Sequence, residues 1–336
     1  MRRILLGGLL FLMGILVVLP TLLSSIGTKA AAPEPEPQGV DSLTISVYFP
    51  DTKETRDLVL GEYLKGVVAA EMPEEFGDEA LKAQFVVART YAVHRMAAFR
   101  KPGKVGCPLE PKADICADPR TGQDYMSLAE AKQRSGEAVA LSYWKRLDGF
   151  QQETQGLVLR YRGELIDPLY HAVSGTATEA AGDYFNEQVE YLQSVDDSWG
   201  AEAKNLKVTE TRTLEEVAAK LSNQGQPLAV PALANSVKAG KIPIQIVEKT
   251  PTGRVKTVRV GNLTLTGRDV RERLGLRSTN FQVSVQQGKV VFQTTGYGHG
   301  VGMSQWGANG MARAGKTFRD ILAHYYRGVS LAPLFG

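Results

Sequence analysis

The chain has 336 residues, enough for one large or two modest domains with real cores. Lys and Arg total 39 and Asp and Glu total 36; Arg2, Arg3 and Lys29 are the only charges in residues 1–29, so the rest balances at 36 against 36. A balanced body argues against a protein that lives on nucleic acid, 43% hydrophobic residues argue against a disordered chain, and two cysteines exclude a disulfide-rich scaffold or a four-cysteine zinc site.

Residues 4–23 form an uncharged, strongly apolar run behind Arg2 and Arg3. About 20 residues cross a ~30 Å hydrocarbon core as a helix. The basic flank faces the cytoplasm, which places the chain beyond residue 30 outside. The expectation is a single-pass membrane anchor over residues 1–29 with an extracytoplasmic body. The alternative is a cleaved signal peptide ending at Ala30, Ala31 and Ala32. Residues 30–40 are rich in Pro and Glu and read as an extended spacer.

The body is expected to divide into a catalytic region, residues 41–200, and a second region, residues 201–336. Residues 43–49 alternate as a strand, with 56–60 as partner across a turn at Pro50 and Asp51. Residues 61–71 read as a helix that Pro73 stops. A second helix runs from Asp78 to Phe99. A third starts at the capping box Ser127 to Glu130 and continues to Trp144. Residues 157–161 and 165–172 look like paired strands. Residues 203–250 yield one helix, 214–221, and little else. Short strands follow at 255–260, 262–265, 281–285 and 290–293. Helices at 304–314 and 317–327 close the chain, with Gly315 and Gly328 as C-cap glycines. Mixed helices and short strands without a βαβ rhythm give an α+β fold: a helical catalytic region with short-strand sheets, after an N-terminal transmembrane helix.

Four places carry candidate chemistry. Glu71 ends an apolar helix, where the negative end of the dipole and the apolar setting raise a carboxyl's pKa toward general-acid use; the plainer alternative is an exposed Glu at a frayed end. Arg89 has Phe85, Val86, Ala92 and Val93 at helical spacing and needs a partner: Glu71, substrate, or a structural ion pair. Gly296-Tyr-Gly-His-Gly-Val-Gly-Met303 lacks dinucleotide or P-loop spacing; as a strand it puts Tyr297, His299, Val301 and Met303 on one face and bare glycines on the other. Residues 170–179 end a strand in a small polar turn holding His171 and Ser174, without the Gly-x-Ser-x-Gly elbow of a serine hydrolase. His94, His171, His299 and His324 are scattered with no His-Glu-x-x-His, so no metal or other cofactor is expected. Cys107 and Cys116 sit in a loop expected outside the cell, where oxidation to a local disulfide is reasonable.

Glu71-Met-Pro73 within residues 63–73, Ala88-Arg-Thr-Tyr91, Gly267-Arg-Asp-Val-Arg271, residues 276–281, and residues 296–305 ending in Met303-Ser304-Gln305 resemble, in order, the stage II sporulation protein D family. The resemblance implies a membrane-anchored lytic transglycosylase that cuts peptide-stripped peptidoglycan glycan strands during forespore engulfment. It also implies a sporulation amidase and a membrane protein as partners; the charge balance already speaks against nucleic acid. The family's catalytic glutamate carries over to Glu71. Arg89, His171, Ser174, Tyr297, His299, Ser304 and Gln305 are then expected around the glycan. Two family patterns depart here. The Cys-Ala-Asp-Pro-x-His-Cys pattern associated with zinc reads Cys116-Ala-Asp-Pro-Arg-Thr-Gly122, and Ser-Gly-Gly-Lys-Thr-Glu reads Ser174-Gly-Thr-Ala-Thr-Glu179. Some domains with these motifs are amidase enhancers, which leaves a non-catalytic wall-binding module as the competing class.

Overall fold

The structure, a computed structural model, describes residues 39–222 and 227–335. The expected anchor lies outside them. Among the described residues no helix is long and apolar enough to cross a membrane. The body is α+β, with helices packed among small sheets.

Strands β1 (Thr44–Phe49) and β2 (Glu54–Val59) form an antiparallel hairpin, and β3 (Ile115–Cys116) joins β1 in parallel. Helix α1 (Leu60–Glu71) follows β2 directly. Pro73 holds Met72 extended at φ −124° and ψ 134°, so Glu71 is the last helical residue. Helix α2 (Asp78–Arg95) is buried from Ala80 to Val93 except at Lys82 and forms the centre of the larger core. It stops short of Phe99. The single helix expected from Ser127 is two, α3 (Leu128–Ser135) and α4 (Glu137–Glu153), because Gly136 sits between them at φ 86°. The Ser127 and Glu130 capping box is present.

Strand β4 (Leu157–Tyr161) pairs with β5 (Glu164–Leu165). The strand expected to run on to Ala172 is interrupted, and β6 is only Tyr170–His171. After α5 (Ala181–Phe185) come β7 (Lys207–Arg212), α6 (Leu214–Leu221), α7 (Val230–Lys238) and β8 (Ile244–Lys249). Three of these four were not legible. β7 reads Lys-Val-Thr-Glu-Thr-Arg because it is the edge of its sheet, order β11-β12-β7, and buries little. The chain continues through β9 (Val255–Val260), β10 (Leu263–Thr266), α8 (Gly267–Leu274), β11 (Phe281–Gln286) and β12 (Lys289–Thr295). It ends with β13 (Met303–Ser304), α9 (Gln305–Arg313), α10 (Phe318–Tyr325) and β14 (Ser330–Pro333). β13 pairs in parallel with β6, and β14 returns to β4.

Two large apolar clusters result, beside a small one of Cys107, Ala113 and Cys116. One holds residues from Val40 to Val195 together with Val301 to Leu334; the other lies between Val217 and Phe292. Residues 301–334 therefore share a core with α1 and α2. The chain leaves and re-enters at one point, where Gly296 N donates to Leu206 O at 2.8 Å. Cys107 and Cys116 form the expected disulfide.

Candidate active site

The C-terminal end of α1, the start of α9 and the loop after β3 meet at Glu71. Tyr170 Oη donates to Glu71 Oε1 at 2.9 Å, and Asp124 N donates to the same oxygen at 3.1 Å. Gln305 Nε2 donates to Oε2 at 3.0 Å. Three donors favour the carboxylate, each hydrogen bond to a charged group contributing about 1.5–3 kcal/mol. Burial outweighs them, and with the nearby Asp124 charge it lifts Glu71 above the ordinary carboxyl range.

The two oxygens are not equivalent. Oε1 accepts two hydrogen bonds and Oε2 one, so Oε2 keeps a free lone pair for the acid proton. A cleft of about 200 Å³ opens here, lined by Glu71, Pro73, Phe76, Arg134, Gln305 and Trp306 among others. Trp306 packs edge-on against Phe76, with centroids 5.0 Å apart. A half-buried indole beside a carboxylic acid suits the apolar face of a sugar ring.

A second layer fixes the direction of these bonds. Tyr63 Oη donates to Gln123 Oε1 at 3.3 Å, and Gln123 Nε2 donates to Tyr170 Oη at 3.2 Å. Tyr170 thus accepts from the amide and directs its own proton to Glu71. Burial holds the Tyr170 hydroxyl well above its ordinary pKa, so it stays a donor. Sequence reasoning missed Tyr170 by one position: on β6 it faces Glu71, while the neighbouring His171 faces away.

The glycine-rich segment is not a strand. Gly296, Gly298, Gly300 and Gly302 all have positive φ, from 73° to 108°, which breaks the expected alternation. Val301 and Met303 are fully buried, His299 is half-buried, and Tyr297 is 49% exposed. The glycine face meets protein. A Cβ on Gly302 would lie 1.9 Å from the Leu169 carbonyl oxygen, and one on Gly300 would lie 2.6 Å from Arg254 Cζ.

Four expected substrate contacts need correction. Arg89 is fully buried, with a two-pronged ion pair to Asp41 at 2.6 and 2.8 Å and a bond to Leu157 O, so it neither orients Glu71 nor reaches a ligand. His171 donates from Nδ1 to Val301 O and accepts at Nε2 from Ser174 Oγ. This is a serine–histidine pair, but sealed: the two residues are 1% and 4% exposed, and burial keeps the imidazole neutral. Ser304 is fully buried and caps α9 through Gly307 N. Gln305 does line the cleft, while Tyr297 and His299 are not among its lining residues.

Residues 49–161 match the family described as SpoIID, stage II sporulation protein. The chain is 35% identical to stage II sporulation protein D of Bacillus subtilis (strain 168) over 92% of its own length and 84% of that protein. It is 36% identical to stage II sporulation protein D of Bacillus amyloliquefaciens, covering 91% and 82%. It is also 27% identical to an amidase enhancer of Bacillus subtilis (strain 168), over 80% of this chain and 40% of that protein. Identity of this extent, spanning both large apolar clusters, places the chain in the stage II sporulation protein D family.

Proposed function

We propose that the protein is a lytic transglycosylase that cleaves the β-1,4 bond between N-acetylmuramic acid and N-acetylglucosamine in peptide-stripped glycan strands, during forespore engulfment. In this reading the body faces the wall from a membrane anchor in residues 4–23, beside an amidase and a membrane partner. The observation that carries it is the Glu71 carboxyl, raised by burial and set in the wall of a cleft beside an indole. Glu71 Oε2 gives its proton to the leaving glycosidic oxygen as the bond to the muramyl C1 breaks. The resulting carboxylate, held by Tyr170, Asp124 N and Gln305, then takes the proton of the muramyl 6-hydroxyl as that oxygen closes on C1. The product is a 1,6-anhydro end, and no water enters.

A hydrolase of the usual kind needs a second carboxyl as nucleophile or base. The acid whose charge bears on Glu71 is Asp124, and its Oδ1 accepts from Tyr125 N. The test uses the intact chain and purified stripped strands, read by mass spectrometry. The expected result is 1,6-anhydro ends whose formation falls about 10²–10⁴-fold in Glu71→Gln. Reducing ends would indicate hydrolysis. The likeness to an amidase enhancer favours a wall-binding module as the second reading; binding without any cleavage would select it.

A further inference from the structure

Arg254 is a buried cation without a full set of partners. It is 2% exposed, its Nη2 donates to Ser174 O at 3.1 Å, and its guanidinium lies against Gly300. Glu179 approaches Nε at 3.6 Å, but its Oε2 is already used by Thr250 Oγ1 and Thr252 Oγ1 at 2.8 and 2.7 Å. Nη1 has no partner among the described residues. Arg254 lines a cavity of about 80 Å³ with Tyr184, Asp183, Lys256 and Arg268 on its walls. A water needs only ~10–15 Å³ on this measure, so there is room for a carboxylate group.

The surroundings add positive charge. Lys256 and Arg268 are paired with Glu248 and Glu272, and Asp183 and Glu179 are the acids in the cavity wall. Arg271 donates to Tyr184 Oη at 2.8 Å, and Arg277 lies 4.5 Å from the ring centroid of exposed Tyr297; neither contact is with a carboxylate. His299, in ring contact with Tyr184 and Phe185, registers the field. Burial and the charges of Arg271 and Arg254 push it down to about 3.

We propose that this pocket is an anion subsite for the carboxylate of an acidic sugar. The proposal rests on the glycan reading above and sharpens it. Removing a stem peptide hydrolyses the amide on the lactyl ether of N-acetylmuramic acid and leaves a free carboxylate there. An unstripped strand presents a neutral amide at that position. A cationic pocket of this size distinguishes the two.

The test is calorimetric titration of the intact chain with N-acetylmuramic acid, its methyl ester and N-acetylglucosamine. The acid is expected to bind about ten- to hundredfold more tightly than the ester, as a charge-assisted hydrogen bond implies. Arg254→Gln removes that preference. Should this buried substitution unfold the protein, Arg277→Gln at a half-buried position reduces it, and the nuclear magnetic resonance titration of His299 moves to higher pH with the acid but not the ester. Equal binding of acid and ester overturns the proposal, as does a preference that survives both substitutions in folded protein. Glu71→Gln leaves the preference unchanged, so this subsite and the cleavage reading fail separately.

Discussion

At the scale of single residues, the balance at Glu71 sets both activity and stability. The reaction starts from the protonated acid, so cleavage declines as pH rises through its raised pKa. Tyr170→Phe removes a donor that favours the carboxylate and moves this alkaline limb to higher pH. Asp124→Asn removes a like charge and moves it to lower pH. Profiles of kcat/KM against pH for the two variants should diverge from the parent in opposite directions. Stability follows the same proton. Folding raises the pKa, so the native state binds the proton more tightly and loses stability as pH climbs from the unfolded value of 4.5 through the native one. Glu71→Gln abolishes that loss, since its amide oxygen still accepts from Tyr170 and Asp124 N while the Gln305 amide can turn over. Its melting temperature should exceed the parent's at neutral pH, and the gap should close below pH 4.5. Glu71 was legible because a proline fixes where its helix ends. Tyr170 and Gln123 were not, because their roles depend on which way a two-residue strand faces.

At the scale of elements, local signals were read and distant partners were not. The capping box at Ser127 is where its spacing put it, and a second forms at Thr317, because the side chain answers an amide three residues away. Gly136 divides a helix that its flanking sequence would have carried through. Arg89 shows the opposite case. Its apolar stripe announced a buried charge, yet the partner, Asp41, lies 48 positions earlier in a short 3₁₀ turn. That pair clamps the start of the body to α2, and Arg89 Nη1 extends the clamp to β4 through Leu157 O. Asp41→Ala leaves the guanidinium buried and unpaired and should cost about 3–5 kcal/mol in urea unfolding. The double change Asp41→Leu with Arg89→Met should cost less than the sum of the single changes, which a double-mutant cycle measures.

At the scale of the whole molecule, the chain builds one core, departs to build a second, and returns. The first core is completed by residues 301–334, a fact no local pattern carries, because α9 and α10 pack against α2, more than 200 positions earlier. The second cluster is inserted at a single crossing, with Gly296 N on Leu206 O and β7 paired to β12 from Lys207 to Thr295. The ends of the insertion are thus adjacent, so closing them with a short Gly-Ser linker adds little loop entropy. Replacing residues 207–295 in this way should leave one cooperative unfolding transition, with a smaller denaturant slope because less surface is exposed. The donors to Glu71 come from Tyr170, Asp124 and Gln305, all in the retained part, so the raised pKa of Glu71 should persist. Arg254, Arg271 and Arg277 leave with the insertion, and the preference for an acidic sugar should leave with them. Such a chain separates acid chemistry from anion recognition in one protein. Loss of cooperative unfolding would show instead that the two cores depend on each other, through Arg254 on Ser174 and Arg271 on Tyr184.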